Sequence, residues 1–444
     1  MRALVHGLAV AGTSTVRALQ RHGWEVIVAD DVVTPERSAL AASLGVELLD
    51  APDAASLAPV VATCDLVSPA PGVPEGHPVV TAALEAGVEL ASEIELAHRW
   101  EAERPGGPRP MLAITGTDGK TTTTLMAVAM LRAAGRSTVD AGNTDTPLVD
   151  AIVDDHDALV VECTSFRLAW TPTFRPDAGA WLNLAPDHLN WHASMATYGD
   201  AKARIWVNQR GDDVAIGFTG DDAVMARLAS APARRRTFGD GGDYRREGDH
   251  LVGPDGPIAP VASMRRSLPH DVTNALAAAA LALETGLADP PAIERALAGF
   301  EGPAHRLQHV GSWGGVDWYD DSKATTPHAA AVAIHAFRDV VLIAGGKDKH
   351  VDLAEMAVER DRVRAVVAIG ETRDAVAAAF DGVATVEVTE HLDDAVPRAA
   401  ALARPGDVVL LSPGCASLDQ YRSFEERGRR FADLARQVNG ATER

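Results

Sequence analysis

The chain is 444 residues long, 46% apolar and 23% charged, with only 5% aromatic residues, a globular composition that excludes disorder and, at roughly 150 residues per core, predicts about three domains. Lys plus Arg total 41 against 62 Asp plus Glu, for a formal charge of -21, so nucleic acid and anionic membranes are excluded as partners and any nucleotide must meet a positive potential made locally. Cys64, Cys163 and Cys415 are far apart and outside any C-x-x-C spacing, and the longest apolar run is Ala275 to Leu283; this supports neither a disulfide framework nor a zinc site nor a bilayer-crossing helix of roughly 20 residues, and predicts a cytoplasmic protein.

Residues 3 to 31 read as a β-α-β unit: a strand over Ala3 to Val5, a turn at Gly7 and Gly12, a helical stretch, and a strand over Glu25 to Ala29. His6, Gly7 and Gly12 interrupt the apolar stretch, so the N-terminus reads as folded protein rather than a signal peptide. The turn lacks the middle glycine of a dinucleotide fingerprint and reads equally as a ligand site or a bare tight turn. A strand at Asp65 to Val67 ends in a sharp loop, Ser68 to Gly72, at a sheet's carboxyl edge. The run RWEAERPGGPRP, 99–110, stops helix and strand alike and marks a domain boundary. Beyond it come a strand at Met111 to Thr115, a helix from Thr121 to Ala134, strands near 158–162 and 179–184, and a helix from Val272 to Glu284. The stretch 208–268 is predicted to be a small irregular β appendage. Gly299 to His305 marks a second boundary, after which strands at 341–344, 365–369, 385–388 and 407–411 alternate with helical stretches, as in another parallel sheet.

The most informative motif is LAITGTDGKTTTT. A strand runs into a turn at Gly116 to Gly119, then Lys120 and Thr121 open a helix; glycines admit a phosphate to backbone amides, the helix N-terminus adds positive dipole, Lys120 a point charge, and Thr121 a hydroxyl for Mg²⁺. The Walker pattern is incomplete, because its first glycine would fall at Ile114, and Asp118 sets a carboxylate inside an anion cradle. ALVVECTSF carries Glu162 at a strand end; alone it reads as a solvated Glu, and beside a nucleotide loop as a ligand of Mg²⁺. In LNLAPDHLNWH, Asp187, His188 and His192 suit a second metal, a substrate phosphate or a structural role equally. Lys202, in TYGDAKARIW, reads on composition as a solvated helical lysine. The cluster Asp320, Asp321, Ser322, Lys323 and Thr325 is too dense in polar groups for ordinary surface loop. LLSPGCASLDQYRSFEERG suggests a buried strand ending at Ser412, then hydroxyls and a helix with Tyr421 and Phe424 on one face, where they read equally as core.

Together GTDGKTT, GNTDTP, ECTSF, DHLNWH, YGDAKARIW, TNALAAAALA, AHR, DDSKATTP, GGKDK and LSPGCASLDQYRSFEERG resemble the Mur ligases of peptidoglycan synthesis over nearly the whole chain, the last motif being similar to that of the D-glutamate-adding member. GTDGKTT alone also fits the folylpolyglutamate synthetase relatives. The resemblance implies an α/β fold of three domains: a Rossmann-like domain for the UDP-sugar (1–100), a central P-loop ATPase-like parallel sheet (109–299) and a C-terminal Rossmann-like domain for the amino acid (300–444). It implies an ATP-dependent amide ligase acting on UDP-MurNAc-L-alanine and D-glutamate, probed by phosphate release, and a cytoplasmic monomer. Gly116, Thr117, Asp118, Gly119, Lys120, Thr121 and Thr122 would hold ATP, with Thr121 and Glu162 on a first Mg²⁺. His188 and Lys202, the latter as its CO₂ adduct, would serve a second. Asn143 would contact substrate or phosphate, while Asn274, Arg306 and Asp321 would meet adenine and ribose. Lys323, Thr325, Lys349, Ser417, Leu418 and Phe424 would form the amino-acid pocket. The chain departs from the family pattern at Asp118, Asp145 and Asp271, each an added negative charge, and at Ala9 and Val32 in the uridine-site turn. Those aspartates motivate one rival, a nucleotide-binding protein without turnover; another ligase of the superfamily is the second.

Overall fold

Short runs of Val, Ile, Leu and Ala closed by Gly, Pro or a carboxylate become parallel strands, because strands covered by helices on both faces need no polar alternation. The computed structural model describes residues 1–348 and 351–440, which divide into two compact units, Met1–Phe300 and Glu301–Arg444. The first unit opens with β1 (Arg2–His6), β2 (Glu25–Asp30), β3 (Glu47–Asp50), β4 (Leu66–Pro69) and β5 (Glu89–Leu90), a parallel sheet in the order β3-β2-β1-β4-β5. Strand β4 includes Ser68 and Pro69, which the sequence pattern assigns to the loop. The turn after β1 needs its glycine: a Cβ on Gly12 would lie 1.8 Å from the Gly7 carbonyl oxygen.

The second sheet of this unit contains β6 (Met111–Thr115), β7 (Thr138–Gly142), β8 (Ala158–Glu162), β9 (Ala178–Trp181), β10 (Val214–Phe218) and β11 (Arg234–Phe238), in the order β11-β10-β9-β6-β8-β7. Strand order reverses at β6, whose neighbours are β8 and β9, so the loops after β6 and β9 flank the crevice where ligands of open α/β sheets bind. The expectation for 208–268 is corrected here. Val214–Phe218 and Arg234–Phe238 are strands of this main sheet, and only β12 (Arg245–Glu247), β13 (His250–Gly253) and β14 (Gly256–Pro260) form a separate antiparallel sheet. An edge strand such as β11, RRRTF, lacks the apolar run that marks a central strand. The helix predicted from Val272 begins at Pro269, where proline suits the first turn, and runs to Glu284. Its alanines from Ala275 to Ala280 are fully buried and let it approach the helix Lys120–Ala133 closely.

The first two sheets share one continuous core in which Val5, Val16 and Leu19 lie with Met111, Val161 and Trp206. Between them runs the helix Glu93–Ala102, whose Glu93, Glu95 and Glu101 are all buried. Glu95 accepts the amides of Thr173 at 3.1 Å and Phe174 at 2.8 Å, Glu101 pairs with Arg109 at 2.6 Å, and Glu93 accepts the Val149 amide at 2.9 Å. Buried carboxylates persist because each has such partners, and these partners tie the two sheets together.

The second unit holds β15 (Gln308–Trp313), β16 (Val316–Asp320), β17 (Val340–Gly345), β18 (Val363–Ile369), β19 (Thr385–Val388) and β20 (Val408–Leu411) in the order β15-β16-β20-β17-β18-β19. All pairings are parallel except β15 with β16. Among the described residues, no helix is long and apolar enough to cross a membrane.

Candidate active site

The loop after β6 is held from outside. Asn183, two residues beyond β9, accepts the amides of Thr117 at 2.9 Å and Asp118 at 2.8 Å through one side-chain oxygen and donates to the Asp118 carbonyl at 3.2 Å. Gly119 has φ +82°, and a Cβ there would meet the Asn274 Oδ1 at 2.6 Å, so only glycine lets the loop turn into the helix beside Asn274. The helix Lys120–Ala133 has no side-chain cap at Gly119, which leaves its dipole and first-turn amides suited to an anion. Lys120 Nζ folds over the loop, donating to the carbonyls of Gly116 at 3.0 Å and Thr117 at 2.7 Å. Thr121 is half-buried and Thr122 is buried at the start of the helix.

Beside this loop the ends of β7, β8 and β9 bring together Asn143, Glu162 and the segment to His188. Glu162 is 1% exposed. Its Oε1 accepts Asn143 Nδ2 at 2.8 Å, and Asn143 Oδ1 in turn accepts from Arg167 at 2.8 Å. Its Oε2 has no hydrogen-bond partner among the described residues. A buried carboxylate oxygen with no donor is costly unless a cation meets it, and an oxygen ligand beside a phosphate cradle suits Mg²⁺, so the residues present fit that ion.

Lys202 corrects the reading from composition: it is 1% exposed, over the Tyr198 ring at 4.6 Å, and donates to the Gly116 carbonyl at 2.6 Å. The helix Met195–Val207 turns it inward because the same face carries buried Tyr198, Ala201, Ile205 and Trp206. Burial, reinforced by the charge of Lys120 on the same carbonyl, pushes the Lys202 amine well below its ordinary pKa. His188 has φ +55° and sits edge-on to Phe166 at 4.6 Å. Burial lowers its pKa, with Lys120 and Lys202 acting in the same direction against Asp187. Of the sequence-predicted residues, the structure thus places Lys120 and Lys202 on the Gly116 carbonyl, Asn274 against Gly119 and Asn143 on Glu162, with His188 near enough to Lys120 and Lys202 to feel their charge.

In the second unit, Asp321 lies at the end of β16, where its carboxylate accepts the Leu307 amide at 3.1 Å and the Ser412 hydroxyl at 2.8 Å. Burial pushes its pKa up to about 7. Arg306 precedes Leu307 and is half-buried. Lys323 Nζ lies 5.1 Å from the centre of the Phe424 ring, Ser417 is buried, Thr325 is half-buried, and Leu418 is 67% exposed. Lys349 lies outside the described residues. Tyr421 and Phe424 do not share a helix face: Ser423 caps the helix by accepting the Glu426 amide, so Phe424 is its first residue and Tyr421 precedes it. Beneath these loops is Arg427, 1% exposed, donating to the Ser322 hydroxyl at 2.9 Å and to the carbonyls of Ser322 at 2.8 Å and Cys415 at 3.1 Å.

Residues 114–282 match the Mur ligase middle domain, and residues 305–415 match the Mur ligase glutamate ligase domain. The UDP-N-acetylmuramoylalanine--D-glutamate ligase of Frankia casuarinae is 43% identical over 98% of this chain and 94% of its own length. The chain belongs to the Mur ligase family. The ligase of the same name from Thermobifida fusca is 38% identical over 99% of both chains. Among solved structures, the UDP-N-acetylmuramate-alanine ligase of Thermotoga maritima aligns with a TM-score of 0.58 at 19% identity over 98% of this chain and 99% of its own. A pseudomurein peptide ligase of Methanothermus fervidus gives 0.60 at 15% identity over 98% and 99%; both likenesses are of fold.

Within this Mur ligase, three residues that hold the site were not singled out from sequence. Asn183 and Tyr198 fix the loop, Tyr198 through its hydroxyl 3.1 Å from Thr117 Oγ1, and Arg427 holds the second unit's loops. A polar residue just past the apolar strand was the available signal for Asn183; Arg427 sits in a charged helical run and gives none. The added aspartates differ among themselves. Asp271 is fully buried against Arg266, with contacts of 2.7 Å and 2.8 Å, so its charge is neutralised where it stands. Asp145 is exposed to solvent.

Proposed function

We propose that this Mur ligase joins D-glutamate to UDP-N-acetylmuramoyl-L-alanine, activating the donor carboxylate with ATP as an acyl phosphate. The observation that carries the reading is Glu162, a buried carboxylate with one oxygen held by Asn143 and the other without a donor among the described residues, beside a phosphate-type loop. The names of the full-length relatives support the substrate pair. In this reading residues 1–100 take the donor, 109–299 take ATP and 300–444 take the amino acid.

The donor carboxylate attacks the γ-phosphorus of ATP and ADP leaves, with Lys120 and the loop Gly116 to Thr122 holding the transferred phosphoryl group. Mg²⁺ held by Thr121 and Glu162, and a second ion by His188 and Lys202, would supply charge neutralisation of the phosphates. Burial lowers the pKa of the Lys202 amine, which favours addition of its unprotonated form to CO₂; that step would form an N–C bond, release a proton and put carbamate oxygens where a protonated amine would repel Mg²⁺. Asn274, Arg306 and Asp321 orient adenine and ribose. The glutamate amine then attacks the acyl carbon, phosphate leaves, the amine nitrogen loses its proton, and the amide remains; Lys323, Thr325, Lys349, Ser417, Leu418 and Phe424 hold the amino acid. The enzyme works as a cytoplasmic monomer, a state that sedimentation checks.

The test is phosphate release with UDP-MurNAc-L-alanine, Mg²⁺ and either D- or L-glutamate. Release with the D-isomer and donor together is expected. Release that follows another acceptor instead would assign the chain to a different ligase of the superfamily, and ATP binding without any release would make it a nucleotide-binding protein without turnover.

A further inference from the structure

The segment Trp191 to Ala193 joins a loop of the first sheet to both metal-ligand segments of the second. His192 is 1% exposed, with Nδ1 at 3.3 Å from Glu75 Oε2 and Nε2 at 2.9 Å from Ser165 Oγ. A carboxylate only accepts, so Nδ1 carries the proton and donates to Glu75, and Nε2 accepts from the Ser165 hydroxyl. Glu75 Oε1 accepts the Ala193 amide at 2.5 Å, the Glu75 amide donates to the Trp191 carbonyl at 3.4 Å, and Trp191 Nε1 donates to the Pro71 carbonyl at 2.9 Å. Glu75 and Pro71 belong to the loop after β4, on the carboxyl edge of the first sheet. At the other end, Ser165 is three residues beyond Glu162. The amides of Trp191 and His192 both donate to the His188 carbonyl at 2.9 Å, which holds the left-handed turn that presents His188. Phe166 packs on His188, Trp191 and His192 at centroid distances of 4.6, 4.9 and 5.9 Å, so the four rings form one contact cluster.

We propose that Glu75, His192 and Ser165 form a hydrogen-bonded strap through which donor binding at the loop 70–77 sets the positions of Glu162 and His188, with His192 a positioning residue for the reaction. The strap rests on the reading that residues 1–100 take the donor. A directional chain of hydrogen bonds, buried at Ser165 and partly buried at Glu75, fixes its ends more tightly than apolar packing of equal area, and phosphoryl transfer is sensitive to displacements of about 1 Å. None of the three side chains is needed as a reacting group.

The experiment measures binding of a non-hydrolysable ATP analogue with Mg²⁺ by calorimetry, with and without saturating UDP-MurNAc-L-alanine. In the unaltered protein the donor should tighten analogue binding about tenfold. In Ser165→Ala, and in His192→Gln, which reaches only one of the two partners, the tightening should fall to within about twofold, with kcat lowered more than the KM for ATP raised. Melting temperatures establish that each variant is folded, and Ser165→Ala, a loss of one oxygen, serves if His192→Gln is not. Full tightening in either folded variant overturns the strap, as does its absence from an unaltered protein that binds both ligands. Failure of the unaltered protein to bind the donor at all would overturn the proposed function instead.

Discussion

Around the loop after β6 two charged groups are buried: Glu162, at the end of β8, and Lys202, on the helix Met195–Val207, are each 1% exposed and hydrogen-bonded within the site. In the second unit the arrangement is reversed. Most candidate amino-acid residues ride on loops, with Leu418 67% exposed and Lys323 half-buried over Phe424 at a helix start, while the buried Arg427 lies below them and binds backbone carbonyls. A site that stabilises migrating phosphate charge gains from groups desolvated and oriented in advance, because their field is then strongest and needs no reorganisation. A site that selects an amino acid can keep its contacts on loops if something rigid sets the loops.

That contrast breaks first at the buried carboxylate of the first unit. Glu162→Gln keeps the shape and the Asn143 contact but removes the charge, and Lys120→Ala removes the cation over the loop. Each should lower the phosphate-release rate by about 10²–10³-fold with a small effect on melting temperature. A rate within threefold of the unaltered protein, roughly 0.6 kcal/mol, would show that the buried groups of the first unit are structural only.

Arg427→Met tests the opposite half, since it leaves the carbonyls of Ser322 and Cys415 short of their donor. A stability loss of about 3 kcal/mol, read from the denaturant midpoint, is expected. A neutral substitution would mean that the loops stand without their clamp.

Asp321 sharpens the comparison through pH. Its carboxyl titrates at about 7 in the folded chain against an ordinary value of 3.8 because it is buried. The native state therefore holds an extra proton between those values, and stability declines as pH rises through that window. Asp321→Asn removes the dependence, so its melting temperature should gain on the unaltered protein from about pH 5 to about pH 8; parallel profiles would contradict the assignment. Smallest is Leu418→Ala, which should change stability by less than about 0.5 kcal/mol because the side chain is largely exposed, while raising the KM for the amino acid.

The elements legible beforehand were those with strong local signals. The strand into Gly116 to Lys120 and the helix after it stand within a residue of their expected bounds, as do β8 and β18 to β20 within two. Strands β10 and β11 were hidden, because polar edge residues and intervening glycines resemble an irregular appendage until the sheet is assembled. Tyr421 and Phe424 looked like one helix face because periodicity cannot see a serine cap placed between them.

From its residues alone this chain declares an α/β protein with a phosphate loop, and its motifs carry the likeness to a ligase family, since backbone permissiveness at glycine and the period of apolar residues are local properties of sequence. Whether a charge is solvated is not local. Tertiary structure decided that Lys202 is sealed against Gly116, that Asp271 is neutralised by Arg266, that Glu162 keeps an oxygen without a donor among the described residues, and that Arg427 lies under the loops of the second unit. Desolvation and partner geometry depend on residues distant in the chain, and they exist only once the sheets have packed.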